Sequence, residues 1–343
     1  MPPRLPISTG QAFYVSTTGS DSNPGTIDQP WQTVQKALST LQAGQIAYIR
    51  GGTYSQNLFL NRAGTATAPF TIRNYPGEQP VLQAGTGQTD NIPLKLGNGA
   101  AYVRFQGLVI EGATGPSTTN VYAAGSSHDI ELSACELRGS QRQGFFSGPN
   151  TSSIQIIGCN IHDNGGSGPV QLDHNLYLQG SRHLLANSRV ANAPNGFDVQ
   201  IYPSSDHIIV AENTIVGAMR DGIVVGGDGG GTTTYLTIVN NVIAFNGRNG
   251  ISTYWGGVEG IGNLATMNVV WGNPAGDLVG TGILYSLNTI ADPLFVDRGQ
   301  GDLHVLPGSP AIDLALIGFA LTDDLDGAGR PQGLGPDVGS YER

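Results

Sequence analysis

A short pattern of mostly apolar residues recurs seven times along the middle of the chain and constrains its fold more than any other feature. The first, third and eighth positions are apolar in most copies, and the sixth is usually a small or amide residue. The copies are Val103/Phe105/Leu108/Ile110, Ile130/Leu132/Cys135/Leu137, Ile154/Ile156/Cys159/Ile161, His183/Leu185/Ser188/Val190, Ile208/Val210/Asn213/Ile215, Leu236/Ile238/Asn241/Ile243 and Asn263/Ala265/Asn268/Val270. Their sixth positions lie 27, 24, 29, 25, 28 and 27 residues apart. A period that survives changes in loop length indicates one structural unit stacked on copies of itself.

Each copy alternates apolar and other residues, which is the periodicity of a strand. A second strand follows roughly nine residues after the sixth position. Glycine opens this second strand in four coils: Gly144, Gly196, Gly222 and Gly250. Short strands that advance along one axis predict an all-β fold, a right-handed parallel β-helix. At the sixth position, Asn213, Asn241 and Asn268 are expected to form a ladder of hydrogen-bonded amides at a bend.

The composition fits one elongated body. With 343 residues, 39% of them hydrophobic and 12% charged, the chain can bury a large core as a single solenoid. We expect one domain over 1–343, comprising an N-terminal cap and first coil (12–60), regular coils (100–272) and a C-terminal capping tail (288–343). A short amphipathic helix over 30–41 is expected to close the N-terminal end, because open sheet edges pair with other molecules.

The charge and the absence of long apolar runs limit the partners. A formal net charge of −10 argues against nucleic acid and anionic membranes, which require a dense cationic surface. No apolar run approaches the roughly 20 residues of a membrane span. The first residues lack the apolar core of a signal peptide, and we expect a secreted or cell-surface protein whose leader has been removed. A monomer is expected.

Two cysteines occupy the same repeat position on adjacent coils. Cys135 and Cys159 should therefore lie one strand spacing apart, about 4.8 Å. A disulfide is compatible with that distance. A stack of two buried thiols is the alternative, because free cysteine packs as a small apolar residue.

Both ends of the chain resemble a known group of proteins. The segments that carry the resemblance are 13–21, 29–33 and 49–54 at the start, and 292–297, 308–313 and 335–342 at the end. They are similar to the cap, first coil and tail of the pectate-lyase-like superfamily of bacterial β-helix proteins. The resemblance implies the β-helix fold and a carbohydrate-active protein, although the superfamily contains lyases, epimerases, glycosidases and proteins of no known activity. Its lyases that use a lysine base need a central lysine, whereas Lys36 and Lys95 lie outside the regular coils.

Alignment of the second strands predicts an exposed polar surface on two coils. The alignment puts Gly144, Asn175, Gly196, Gly222 and Gly250 at one level. Side chains that alternate along a strand then bring a set of polar and aromatic residues onto one outer surface. This set consists of His174, Tyr177, Gln179, Asp198, Gln200 and Tyr202. Tyr254 and Trp255 on a later coil could add a platform on which sugar rings stack.

Three arginines flank this surface. Arg142, Arg220 and Arg248 occur two residues before the common level, and Asp173 holds that position on its own coil. Arginine binds carboxylates through two parallel hydrogen bonds, so the row predicts a site for an acidic sugar. The alternative is that each arginine pairs with a local acid and forms ordinary surface charge.

His174 and Tyr177 lie within the longest interval between repeats, the 29 residues from Cys159 to Ser188. They could remove and deliver protons in a β-elimination next to a uronate carboxylate, with Asp173 orienting His174 and Arg220 holding the carboxylate. A histidine hydrogen-bonded in a turn is the structural alternative.

Asp198 and Asp221 form the best carboxylate pair in the sequence. Their predicted separation is very roughly 10 Å, close to the spacing with which an inverting glycosidase accommodates a water molecule. Together with Asp228 they could instead bind Ca²⁺, which takes several oxygen ligands.

Three functions therefore remain open. The first is an extracellular polysaccharide lyase, or a related epimerase, acting on a uronate polysaccharide. The second is an inverting glycoside hydrolase that uses Asp198 and Asp221. The third is a non-catalytic glycan-binding surface protein.

Overall fold

Each coil of the molecule contains three short strands, which form three long faces along a common axis. The computed structural model describes residues 1–115, 118–166, 172–227, 231–254 and 260–343. Face A consists of Ala12–Val15, Ile46–Ile49, Phe70–Asn74, Ala101–Gln106, His128–Ser133, Ser152–Ile157, Leu184–Ala186, Ile209–Ala211, Thr237–Val239, Leu264–Thr266 and Leu284–Ser286. Face B consists of Gly52–Ser55, Pro80–Gln83, Val109–Glu111, Glu136–Arg138, Asn160–His162, Arg189–Ala191, Thr214–Val216, Val242–Ala244 and Val269–Trp271. Face C consists of Leu58–Leu60, Leu94–Leu96, Thr119–Ala123, Gln143–Ser147, Leu176–Ser181, Val199–Asp206, Ile223–Gly226, Asn249–Tyr254 and Gly276–Val279.

Neighbouring strands within each face are parallel, and the apolar side chains that point inward from one coil pack on those of the next. On face A, Ile130 lies opposite Ile154, and on face C, Phe145 lies opposite Leu176. All four side chains are buried. Burial of a side chain of this size stabilises the fold by about 1.5–3 kcal/mol, so stacks that run the length of the solenoid hold the coils together. The predicted all-β parallel β-helix is confirmed.

A ladder of asparagines occupies the corner between faces A and B. The Asn213 amide donates to Asn241 Oδ1 at 2.9 Å, Asn241 donates to Asn268 at 2.9 Å, and Asn268 donates to Asn288 at 2.8 Å. All but Asn288 are buried. The predicted ladder is confirmed and extends one coil further than expected.

The two cysteines continue this corner on earlier coils. Cys135 and Cys159 are free thiols and both are buried. The Cys159 backbone N–H donates to Ser188 Oγ at 3.1 Å, and the Ser188 N–H donates to Asn213 at 3.0 Å. The stacked-thiol alternative is the one that the structure shows.

A helix covers the N-terminal end of the solenoid, and the C-terminal tail packs along the side of face B. The N-terminal helix spans Val34–Thr40, begins after the Thr33 cap and buries Val34, Ala37 and Leu38. It starts later than predicted because Trp31 instead pairs with Val15 at the sheet edge. The C-terminal tail contributes an antiparallel hairpin and two short 3₁₀ helices: Phe295–Asp297, Asp302–Val305, Arg298–Gln300 and Ile317–Phe319. No helix among the described residues is long and apolar enough to cross a membrane.

One predicted register is wrong. Gly196 was aligned with Asn175 and Gly222, but the strands pair Leu176 with Val199 and Val199 with Ile223. Asp198 therefore occupies the level assigned to Gly196, a shift of two residues. A shift of two residues leaves each side chain on the same side of the sheet. It moves the side chain to the neighbouring position on that side, two residues along the strand.

Candidate functional site

A continuous row of outward-pointing side chains runs along face C across the coils. The pairing of strands brings the following residues side by side in this order: Phe59, Lys95, Tyr122, Phe146, Tyr177, Gln200, Val224 and Ser252. The first five members line the floor of a groove of about 800 Å³. The groove walls include Asp90 from the loop before Lys95, and Arg142 and Gln143 from the coil of Phe146. We call this cavity the face C groove.

Aromatic rings make up most of its floor. The ring centroids of Tyr122 and Phe146 are 5.3 Å apart, and those of Phe146 and Tyr177 are 4.9 Å apart, both in edge-on arrangements. All three rings are half-buried, so one side of each remains accessible. Aromatic faces at a spacing set by the coils provide a surface on which the apolar faces of sugar rings can pack.

Lys95 supplies a positive charge at one end of this floor. Its Nζ lies 5.6 Å from the centroid of the Tyr122 ring, and the side chain is exposed. Among the described residues Lys95 makes no ion pair, whereas Arg142 on the wall of the same groove does. A lysine without an acidic partner in a protein of charge −10 is available to an anionic ligand.

Arg142 lies on the wall of the groove but is partly neutralised. Its Nε donates to Asp173 Oδ1 at 3.0 Å, and Nη2 donates to the Leu172 carbonyl at 3.3 Å. Asp173 is fully buried, so the pair anchors the loop that precedes Leu176. The Asp173 carboxylate accepts from Arg142, and its predicted role in orienting His174 stays a prediction.

His174 is buried behind the groove, which makes the prediction of an exposed His174 wrong. Only 2% of its surface is accessible, its ring stacks on Phe197 at 5.1 Å, and its Nδ1 accepts the Phe197 backbone N–H at 3.3 Å. Burial lowers the pKa of His174 to about 3, with the Arg142 charge acting in the same direction and a hydrogen bond with Gln200 opposing it. The imidazole is neutral at ordinary pH and contacts the Tyr177 ring edge-on at 5.8 Å.

Asp198 is also buried, and it points into the molecule. Its Oδ1 accepts the Asn175 amide at 2.7 Å and the Ala193 N–H at 3.2 Å. Asn175 in turn accepts from the buried Asn164, so Asp198 continues a second polar ladder at the corner between faces B and C. Burial raises the pKa of Asp198 well above its usual value. The predicted exposure of Asp198 is wrong because the shifted register moves it into this corner.

The partner proposed for Asp198 lies on the other side of the strand. Asp221 is fully buried, and its Oδ2 accepts from Ser252 Oγ at 2.6 Å and from the Asn249 amide at 3.2 Å. Arg248 Nε lies 3.8 Å from Oδ1, and burial together with the Asp221 charge raises the pKa of Tyr254. With its oxygens occupied by these donors, Asp221 does not face Asp198.

These contacts also bear on the predicted calcium site. The described residues contain no cluster of three or more metal-binding side chains. The third predicted ligand, Asp228, and the predicted platform residue Trp255 lie outside the described residues. Asp198 Oδ1 and both oxygens of Asp221 accept hydrogen bonds from other residues, and the calcium site stays a prediction.

The remaining predicted residues lie along the same face. Arg220 stands over the Phe197 ring, with 5.7 Å from its guanidinium carbon to the centroid, and makes no ion pair among the described residues. Gln179 donates to the Tyr177 hydroxyl at 3.3 Å. Gln200 belongs to the outward row but is almost buried, and Tyr202 is half-buried at the irregular end of its strand. Of the predicted residues, Arg142 and Tyr177 line the face C groove.

Lys95 and Tyr122 are among the groove residues that the sequence analysis does not predict. Lys95 lies on a strand before the regular coils, and Tyr122 lies on the first of them. The alignment of second strands begins one coil later, at Gly144. The signal was present, because Leu94, Lys95 and Leu96 alternate in the same way as Leu176, Tyr177 and Leu178. Extending the second-strand alignment towards the N-terminus would have placed Lys95 in the outward row.

Known proteins share both the sequence pattern and the fold. Residues 13–254 match the model of the Pel9A-like right-handed β-helix region. Pectate lyase PEL9 of Emericella nidulans is 45% identical over 80 residues, which make up 23% of this chain and 20% of that protein. The uncharacterised protein YwoF of Bacillus subtilis is 31% identical over 137 residues, 38% of this chain and 29% of YwoF. The matched regions thus span less than a third of these relatives.

Solved structures agree on the fold. The crystal structure of pectate lyase Pel9A superposes with a TM-score of 0.70 at 14% identity, covering 98% of this chain and 97% of that one. A structure described as a glycoside hydrolase gives a TM-score of 0.62 at 9% identity, covering 82% and 95%. One sequence relative and one of these structures are named pectate lyases, and the second structure is named a glycoside hydrolase. On the match that covers residues 13–254, the chain belongs to the Pel9A-like family of right-handed β-helix proteins.

Proposed function

We propose that this protein is a polysaccharide lyase that cleaves a uronate-containing polysaccharide bound in the face C groove. The observation that carries the proposal is the arrangement of Lys95, Tyr122, Phe146 and Tyr177 in one row. Stacking surfaces for sugar rings and a cation without an acidic partner fit a polymer of acidic sugars. The family relationship supports the same class, because one sequence relative is named a pectate lyase. Polymers of this kind occur outside cells, so the function implies a secreted or cell-surface protein.

The chemistry of the proposed reaction is a β-elimination. A base removes the proton next to the uronate carboxylate, the electrons form a carbon–carbon double bond, and the glycosidic C–O bond breaks. The departing sugar oxygen then takes up a proton, so the polymer is divided without consumption of water. A positive charge beside the carboxylate stabilises the negative charge that develops before the bond breaks.

The residues divide these tasks differently from the sequence-based prediction. Lys95 would contact the carboxylate, and the phenols of Tyr122 and Tyr177 are the groove groups that could exchange protons with the sugar. His174 would be a positioning residue, because it is buried against the edge of the Tyr177 ring. Arg142 remains a groove wall residue whose charge is shared with Asp173. A paired-carboxylate hydrolysis finds less support, because Asp198 and Asp221 are both buried outside the groove floor.

The test is a screen of polyuronates and neutral glycans, with ultraviolet absorbance of unsaturated uronates and reducing ends as readouts. A lyase gives both signals, whereas a hydrolase gives reducing ends alone and a binding protein gives neither. Lys95→Ala should lower turnover at least a hundredfold, since removal of one transition-state charge partner costs about that much. The other lysine, Lys36, lies on the capping helix, so Lys36→Ala is a matched control that should retain full activity.

Two further variants locate the proton transfer. Tyr122→Phe and Tyr177→Phe keep the aromatic floor and remove one hydroxyl each. We expect one of them to lose at least a hundredfold in kcat with little change in KM, because the ring that packs on the sugar is retained. Full elimination activity in both variants, or in Lys95→Ala, would show that the groove is not the site of chemistry.

A further inference from the structure

A cluster of three tyrosines lies on face A, away from the face C groove. Tyr14 and Tyr48 are paired on adjacent strands and stack, with ring centroids 5.6 Å apart and an interplanar angle of 21°. Tyr75 meets Tyr48 edge-on at 6.1 Å and Tyr14 at 6.3 Å. We call this cluster, with Arg50 and Arg73, the tyrosine platform.

Two guanidinium groups are part of this platform. The Arg50 guanidinium lies 4.5 Å from the centroid of Tyr75, and the Arg73 guanidinium lies 5.9 Å from that of Tyr48. Arg50 is neutralised by Glu78, whose oxygens accept from its Nε at 2.9 and 3.0 Å. Arg73 follows Tyr48 in the outward row, makes no ion pair among the described residues, and has a buried Nε without a hydrogen-bond partner.

The fold does not need these rings to close its core. The inward positions of the same strands are filled by the buried residues Val15, Ala47 and Ile49. Each tyrosine is half-buried, and none of the three hydroxyls bonds to another described residue. Three amphipathic rings that keep their polar tips free, beside an unpaired cation, form a surface suited to a ligand with both apolar faces and acidic groups.

The neighbouring part of face A is already covered. The N-terminal segment crosses the strands next to this row, where Ser8 bonds to Thr71 at 3.0 Å and Leu5 N–H donates to Glu131 at 2.9 Å. These hydrogen bonds are to the row of Thr71 and Glu131, and Met1 packs near Ile157, a member of the Tyr48 and Arg73 row on a later coil. The platform is therefore a bounded surface and not a general property of face A.

We propose that the tyrosine platform is a second binding surface for an acidic polysaccharide, separate from the face C groove. It would hold a distant part of a long chain by ring stacking and by contact of a carboxylate with Arg73. The choice of an acidic polymer rests on the proposed function, whereas the existence of a second site rests on the platform alone. A long polymer should benefit from both surfaces, because linked sites raise the effective concentration of the second contact. A short oligomer that fills only the groove should not benefit.

The test measures binding separately from catalysis. In a Lys95→Ala background, affinity electrophoresis in gels containing polygalacturonate or alginate should still show retardation by the platform. Adding Tyr14→Ala with Tyr48→Ala should weaken this retardation about tenfold or more. Tyr235, an exposed tyrosine on a later coil of the same side, provides the matched control Tyr235→Ala, which should leave binding unchanged.

A second variant guards against a folding defect. Arg73→Gln keeps the ring packing and should weaken binding to the polyuronate several-fold. Retardation of the protein in gels that contain a neutral glucan should be the same with and without this substitution. With the groove intact, both platform variants should raise KM for the long polymer and leave kcat/KM for a trimer unchanged. Unchanged retardation in the folded platform variants, or equal loss in Tyr235→Ala, would overturn the second site. Retardation in the gel does not require turnover. A wrong lyase assignment would therefore appear as missing unsaturated products in the polyuronate screen, and it would not change the gel result.

Discussion

The buried ionisable residues of face C behave as structural parts because of their surroundings. His174 and Asp198 were predicted to act on substrate, and both lie on the coils where the site was expected. His174 is held neutral by burial, and its two ring contacts are with Phe197 and Tyr177. Residue type and position along the chain could be predicted from the sequence, but the exposure of Asp198 could not, since it depends on a two-residue register that no local pattern fixes.

Replacing Asp198 by asparagine tests this conclusion directly. Burial raises the pKa of Asp198, so the folded state holds its proton to higher pH than the unfolded chain does. The stability that this group contributes is present at low pH and is lost as pH rises through the raised pKa. Asp198→Asn, which keeps an oxygen for Asn175, should therefore melt at an equal or higher temperature at pH 8 and at an unchanged one at pH 3, with activity retained. Loss of turnover in a variant of full stability would restore the hydrolase hypothesis.

At the scale of elements, the repeat predicts the strands well and their pairing less well. The six intervals between repeats are enough to predict the parallel β-helix and the asparagine corner, because stacked coils require equivalent residues at equivalent levels. Glycine was a poor marker of the level on face C. Gly196 lies three residues before its strand, whereas Gly222 lies one residue before its strand and Gly250 is the second residue of its own. The loop after Ala191 is longer than the corresponding loops of those coils. The position of Asp198 in that loop explains the error.

The asparagine ladder provides the prediction at this scale. The Asn241 amide bonds to the carbonyl groups of Val210 and Val239 and to Asn268, and its Oδ1 accepts two bonds from Asn213. Asn241→Ala leaves several of these buried groups without partners, so the free energy of unfolding should fall by about 2–4 kcal/mol. Denaturant unfolding followed by circular dichroism measures this loss.

The control for that variant is an asparagine with no such contacts. Asn150 is exposed in a turn, and Asn150→Ala should change the free energy of unfolding by less than about 0.5 kcal/mol. Similar values for the two variants would mean that the ladder contributes little beyond the apolar stacks.

The terminal segments act on the molecule as a whole, because they tie distant coils together. The N-terminal residues lie along face A, where Arg4 and Arg104 both pair with the buried Glu131. The tail after Phe295 covers the outer side of face B, with Leu303 and Val338 packed against Val216 and Val242. The resemblance in the sequence predicted a capping tail, but not the ion pairs that fasten it, because the partners are more than a hundred residues apart.

Arg330 is the residue that joins the tail to the coils. Its side chain is 1% exposed, its Nη1 donates to Glu212 at 2.9 Å, and its Nη2 donates to the Gly339 carbonyl at 2.8 Å. Burial raises the pKa of Glu212 to about 7, although the Arg330 charge opposes that rise. Removal of Arg330 would leave a buried carboxylate without its cation, which typically costs 3–5 kcal/mol.

Arg330→Met should therefore lower the free energy of unfolding by about 3–5 kcal/mol at pH 8. The loss should be smaller at pH 5, because a carboxyl with a raised pKa binds a proton as pH falls below that value and no longer carries the uncompensated charge. Adding Glu212→Gln should recover much of the loss at pH 8, since the partner is then neutral at every pH. Chemical unfolding of the single and double variants at the two pH values measures these differences. A loss that is equal at both pH values and unaffected by Glu212→Gln would show that Arg330 acts through packing and its carbonyl contacts instead of through its charge.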